Sequence, residues 1–256
     1  HTDSKNFIGS RMMPVGLGDE IFWMCPSLES NPVDLSPSAR TLTLNNGAAL
    51  VNDSSEGGSK AYEFDGSDDT ITTTTIWGAG LRRLSWSMWS YNNHGASDFN
   101  SGPFLEYTGA NGGTSNVYAR LGNQHTNPRQ YNCGVAGTMD AGGFGTIASP
   151  FIQTLADAIA AGWQHWSFVL DDTTAYTYVN GILITTQATN PGVTTFKYNN
   201  PVTFGKAFSY FNGKIDDFRA YDHAISQSEI EHLAFSRGVL GGPGGTHIRR
   251  TLLGVG

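Results

Sequence analysis

The chain has 256 residues, 39% of them hydrophobic and 14% charged, a length and apolar content that suit one large β domain with a real core. Its formal charge of −7 and pI near 5.4 repel phosphate backbones and exclude nucleic-acid binding as a leading function. No run of about 18 apolar residues is present to supply a membrane-spanning helix.

Residues 1–18 contain Gly9, Pro14, Gly16 and Gly18 with little periodicity and read as an extended arm. A strand is expected over 20–24, followed by a polar turn from Pro26 to Pro32. The alternation over 41–44 ends at Asn45-Asn46-Gly47, a turn sequence. Residues 61–64 and 70–76 are two strands around Asp65-Gly66-Ser67-Asp68-Asp69, where Asp-Gly supplies hairpin chemistry. Over 84–91 the two-residue period puts Leu84, Trp86 and Met88 on one face, while Trp89 and Tyr91 predict contacts on both faces. Residues 92–103 and 109–116 are Gly/Asn-rich loops, 117–121 is a strand, and 122–150 carries no clear period. The Ala-rich run 155–161, stopped by Gly162, predicts a short helix.

Regularity returns at 163–170, 175–179 and 182–186, three strands joined by Asp171-Asp172-Thr173 and Asn180-Gly181. Residues 202–204 lead on to 215–221. There, strict alternation predicts Ile215, Asp217, Arg219 and Tyr221 on one face and Asp216, Phe218 and Ala220 on the other. Ser226 and Glu229 have capping-box spacing, so one short C-terminal helix follows. After Phe235 come a Gly/Pro stretch, 241–245, and a short apolar-basic end, 248–253, which read as a second arm. The expected organisation is an N-terminal arm at 1–18, a β domain at 19–236 and a Gly/Pro-rich C-terminal arm at 237–256.

Short alternating strands with closely spaced turn signals imply an antiparallel two-sheet sandwich, and a jelly roll manages its edges by packing two sheets. Several ordered motifs carry a resemblance. They are Trp23; Asp34-Leu35-Ser36-Pro37 with Leu42 and Asn46-Gly47; Tyr62-Glu63-Phe64-Asp65-Gly66; and Leu84-Ser85-Trp86. Further on come Trp163-Gln164-His165-Trp166, Tyr176-Thr177-Tyr178-Val179-Asn180-Gly181, and Phe211 through Tyr221 with Ser226 and Glu229. Over residues 19–236 the chain resembles the LamG-like jelly-roll domains of the concanavalin A-like lectin/glucanase group. The resemblance implies an all-β fold of two face-to-face antiparallel sheets, one curved, with Trp86, Trp163, Tyr178 and Ile215 in or near the core. It also implies a structural Ca²⁺. Hard oxygen ligands stand at Asp34, Asp65, Asp68, Asp69 and Asp216, with Asp34 and Asp216 the expected metal pair. The competing reading gives these aspartates to turns and backbone N–H groups.

Catalysis is not expected. Laminarinase-like enzymes of the same group carry Glu-x-Asp-x-x-Glu on one strand, and here Glu56, Glu63 and Glu106 are isolated while Asp216 and Asp217 are adjacent. The histidines show no zinc spacing, His165 fits a core position, and neither a nucleophile elbow nor a phosphate loop is present. Tyr107, Tyr118, Tyr131, Tyr198 and Tyr210 fall near loops, where aromatic rings can stack on sugars.

The expected function is therefore a non-catalytic surface-recognition or adhesion protein that binds glycan. The alternative is a structural component of an assembly, such as a virion decoration or tail protein, with its arms on neighbouring subunits. An oligomer fits that alternative. Few charges and abundant Thr, Ser, Asn and Gly suit an extracellular, cell-surface or virion-surface protein. A start at His1 suits a processed chain or a piece of a longer one, a removed signal peptide included. Cys25 and Cys133 can be bridged or be two buried thiols.

Overall fold

The computed structural model describes residues 16–28, 32–52, 60–78, 80–93, 102–106, 117–121, 130–139, 144–148, 151–191, 193–195, 201–206 and 209–235. In chain order the strands are β1 (Phe22–Met24), β2 (Thr43–Asn45), β3 (Ala49–Val51), β4 (Ala61–Asp65), β5 (Thr70–Thr75) and β6 (Arg83–Asn92). They continue with β7 (Phe104–Glu106), β8 (Val117–Leu121), β9 (Gln130–Met139), β10 (Phe144–Ala148) and β11 (Phe151–Thr154). Helix α1 (Leu155–Ala161) precedes β12 (Trp163–Asp171), β13 (Thr174–Val179), β14 (Ile182–Ala188), β15 (Val193–Thr195), β16 (Pro201–Phe204) and β17 (Asn212–Tyr221), and α2 (Gln227–Phe235) follows. A 3₁₀ turn covers Pro26–Leu28.

Two antiparallel sheets result. The first runs β14-β13-β12-β6-β17-β4-β3, with β1 paired to β17; the second runs β10-β9-β8-β7-β16-β5-β2, with β11 and β15 on β9. This is the expected all-β jelly-roll sandwich. The expected strands and turns through 163–188 are present, and the 155–161 helix is capped by Thr154, whose hydroxyl accepts the Asp157 N–H at 3.1 Å. The strands expected at 61–64 and 70–76 also form, but not as a hairpin: β4 pairs with β3 and β17 in the first sheet and β5 with β2 and β16 in the second, so the Asp65–Asp69 turn carries the chain between sheets.

Alternation fills the space between the sheets. Leu84, Trp86 and Met88 of β6 and Trp166, Phe168 and Leu170 of β12 meet Phe104, Val117, Tyr131, Val202 and Phe204 of the second sheet. Rings interlock across the gap, with centroids 5.0 Å apart for Trp86 and Phe104, 4.9 Å for Phe104 and Phe218, and 4.8 Å for Phe204 and Phe218. Large buried rings of this kind dominate core energetics.

One expectation of register fails. Ile215 shares the core with Phe218 and Ala220, while Tyr221 joins the outer cluster. The cause is a β-bulge: pairing with β6 shifts between Asp216 and Arg219, and Asp217 sits at φ 48°. An inserted residue reverses the side-chain parity on its two sides, so strict alternation cannot hold across it. Tyr178 is buried but lies in the outer cluster, and Trp163 is only half-buried.

The outer face of the first sheet is partly walled over. Ile225, Ile230 and Leu233 at and in α2 cover Val169, Tyr178 and Tyr221, with Leu17 packed against the same cluster. The capping box forms as expected: the Glu229 N–H donates to Ser226 Oγ at 3.3 Å and the Ser226 N–H to Glu229 Oε2 at 2.6 Å. Leu17 and Gly18 donate their N–H groups to Glu20, so residues assigned to the N-terminal arm are anchored to the domain. Residues 1–15 and 236–256, which hold the rest of both expected arms, lie outside the described residues.

Candidate functional site

Two buried ionic clusters beside β1 hold the outer face together. Arg219, 1% exposed, forks onto Asp217 through Nε–Oδ1 and Nη2–Oδ2, both 2.9 Å, and its Nη1 lies 3.3 Å from Glu20 Oε1. Trp23 Nε1 donates to Asp217 Oδ1 at 2.7 Å, and the guanidinium lies 4.4 Å from the Trp23 ring centroid. In the second cluster, Asp34 Oδ1 accepts the N–H groups of Trp23 and Ser36 at 3.0 Å each. Its Oδ2 accepts from Arg40 N at 3.1 Å and Arg40 Nη1 at 3.3 Å. These groups tie segments together.

The expected metal pair is placed accordingly. The Asp34 carboxylate ties the first strand to the Ser36–Arg40 turn, and Asp216 is fully buried on β17 opposite Trp89. Among the described residues, the acidic side chains whose oxygens converge are Asp65, Asp68 and Asp69, all within 4.8 Å of one another in the β4–β5 turn. Asp65 Oδ1 accepts the Ser67 N–H at 2.7 Å, which holds the Asp65 carboxyl below the usual range. Asp69 Oδ2 accepts the Asp65 N–H at 2.9 Å, yet burial, with the charges of Asp65 and Asp68, raises the Asp69 pKa. Three hard oxygen donors on one turn fit a divalent cation such as Ca²⁺, which would offset their mutual repulsion.

These aspartates border an open cleft of about 400 Å³, lined also by Asn46, Gly47, Glu63 and Asn212. A second hollow of about 180 Å³ continues past Asn212 to Asn93, Tyr91 and Lys214. Tyr91, Lys214 and Glu63, which line this second hollow, stand with Trp163 in one row across the outer face of four strands. Trp163 of β12 pairs with Tyr91 of β6, Tyr91 with Lys214 of β17, and Lys214 with Glu63 of β4. The Tyr91 and Trp163 rings are 5.8 Å apart at 56°. Lys214 Nζ is 5.6 Å from the Tyr91 centroid and 3.7 Å from Glu63 Oε1. One register deeper, Trp89 and His165 are buried edge to face at 5.5 Å, so His165 packs in the fold as expected.

Sequence reasoning missed this row. Its one signal was Tyr91, which broke polar alternation; the partners depend on strand order, which no local pattern encodes. The tyrosines expected at loops fare differently. Tyr131 is fully buried, 5.0 Å from Trp166, and Tyr210 is half-buried beneath Lys206, whose Nζ is 4.4 Å from its centroid. The side chain of Tyr118, and Tyr107 and Tyr198 altogether, lie outside the described residues.

The family model described as the concanavalin A-like lectin/glucanases superfamily matches residues 64–231, more than half of the chain. The chain belongs to that superfamily. Solved structures similar to this superfamily member include the binding domain of Paraclostridial Mosquitocidal Protein 1, at 17% identity and TM-score 0.62 over 84% of this chain and 52% of that one. The botulinum neurotoxin serotype D binding domain matches at 15% and 0.62, over 85% and 50%. The binding domain of botulinum neurotoxin DC in complex with SialylT matches at 14% and 0.60, over 86% and 51%. The chain spans about half of each, and at such identities the likeness is one of fold. No curated protein matches the sequence. Among the described residues no helix is long and apolar enough to cross a membrane.

Proposed function

We propose that the protein is a non-catalytic recognition module that binds glycans at an extracellular, cell or virion surface. The observation that carries this reading is the open cleft, whose amides and carboxylates lie beside the half-buried Tyr91, itself packed against Trp163. Hydroxyl-rich ligands need fixed donors and acceptors beside an apolar face, and that combination is what specific small-ligand sites offer. Membership of a lectin-containing superfamily supports the reading, as does the recurrence of binding domains among similar folds. A glycosidase needs two carboxyl groups flanking a sugar bond; Asp65, Asp68 and Asp69 come from a single turn, where Asp65 and Asp69 accept backbone N–H groups. A glycan array tests the reading, with clear hits expected. Hydrolysis of a β-glucan that disappears on replacing one carboxylate would overturn it. Calcium belongs to the same proposal. Melting curves with and without the ion, on Asp34→Asn, Asp216→Asn and Asp65→Asn, assign it to one carboxylate set or dismiss it.

The second reading, a structural component of an assembly, is favoured by β14. Ile182, Leu183 and Ile184 are 65%, 45% and 42% exposed on an edge strand without a charge, beside Phe235 at 51%. Edges of this composition invite pairing with another chain. Sedimentation as a trimer or larger, lost on Ile184→Lys, supports that role; a monomer at all concentrations removes it.

A further inference from the structure

We propose that Trp163, Tyr91, Lys214 and Glu63 form a platform for a neutral oligosaccharide. The inference rests on the glycan-recognition reading and adds to it a place and a chemical class. Strand register sets the platform's length: three inter-strand steps of about 4.8 Å make roughly 14 Å, room for a short oligosaccharide. Part of the outer face of the first sheet is covered by α2 and the segment around Leu17 and Glu20, and these four residues lie beyond that cover.

The two rings supply the apolar half of the site. At 5.8 Å and 56° they meet as a shallow corner, so the C–H face of one pyranose can rest on Trp163 and the edge of the next on Tyr91. The polar half follows along the same row. The Lys214 ammonium, over Tyr91 and 3.7 Å from Glu63, offers donors, and the Glu63 carboxylate, 49% exposed, offers acceptors. Beyond them Asn93 and Asn212 present side-chain amides, linked at 3.4 Å. Donor, acceptor and amide within reach of one apolar surface match the ring hydroxyls of a sugar.

Charge decides the class. Glu63, Asp65, Asp68 and Asp69 line the adjoining cleft, and among the described lining residues they face one cation, Lys214, which Glu63 already engages. A sialylated, uronic or sulfated chain laid along the row would meet this acidic cluster with like charge, which is a specificity device in itself. Neutral chains incur no such repulsion.

The test uses the full chain on an array of neutral probes (cello-, malto-, xylo- and lacto-oligosaccharides) and acidic ones (3′-sialyllactose and a heparin tetrasaccharide). Calorimetric titration of the best probe then compares the native chain with Trp163→Ala, Tyr91→Ala, Glu63→Gln and Trp163→Phe. Neutral hits are expected, with affinity falling about tenfold or more in the two alanine variants. Glu63→Gln and Trp163→Phe, which keep a surface polar group and an aromatic ring, are expected to lose less and guard against an alanine variant that fails to fold. Neutral hits insensitive to all four changes overturn the platform and leave glycan recognition standing. Binding to acidic probes alone overturns the chemical class, and a blank array overturns both this inference and the reading beneath it.

Discussion

Arg219 is the residue whose surroundings are most completely specified. Its guanidinium is shared by Asp217 and Glu20 and lies over Trp23, with almost no exposure. Buried pairs are costly to break because the remaining charge has no solvent to return to. Asp217→Ala is therefore expected to destabilise the protein by about 3–5 kcal/mol in urea denaturation, by leaving the cation short of its bidentate partner. Asp69 illustrates the opposite case. Burial and like charge raise its pKa, so the folded chain holds this proton more tightly than the unfolded one, whose value is near 3.8. Its contribution to stability is full below that value and is lost as pH rises through the higher folded value. Asp69→Asn keeps an acceptor for the Asp65 N–H and is expected to flatten the dependence of melting temperature on pH above about 4.

At the level of elements, the capping box of α2 ties sequence to energetics most directly. Ser226→Ala should cost about 1 kcal/mol by chemical denaturation, since the Glu229 N–H loses its acceptor. The Ser226 hydroxyl and N–H also depress the Glu229 pKa. That bond stabilises the fold above the unfolded value of 4.5 and fades as pH falls through the folded one, so the variant loses part of its acid sensitivity. The capping box was legible because two side chains three positions apart carry it. The hairpin at Asn180-Gly181 was legible for the same reason, as local turn chemistry framed by alternation, and both residues adopt the positive φ it requires; at Asp65-Gly66 the turn was legible but not its role, because it passes the chain from one sheet to the other. What escaped was non-local or poor in contrast. Strands β9 and β10 are rich in Gly, Ala and Thr, so the two-residue period has little hydrophobic amplitude. Strands β7 and β15 have three residues each, too short for any period, and the bulge at Asp217 left no composition signal. The candidate platform was illegible for a further reason: its four members come from strands whose neighbours are fixed only by the completed sheet order.

For the molecule as a whole, Cys25 and Cys133 are buried thiols not joined in a disulfide. Cys133 lies in the core on β9, where burial raises its thiol pKa well above normal. A thiol-reactive dye is expected to label neither cysteine in the native protein and both in denaturant, with a melting temperature indifferent to reductant. The sheet order carries a further implication. Among the described residues β17 is the last strand in chain order, yet it lies between β6 and β4 and also receives β1. Until it emerges, three earlier strands keep raw hydrogen-bonding margins, and the Phe218 ring is missing from the midst of the aromatic core. Assembly of this sandwich thus waits until the residues up to Tyr221 have left the ribosome. A chain cut after residue 211 is expected to aggregate rather than persist as a smaller sandwich.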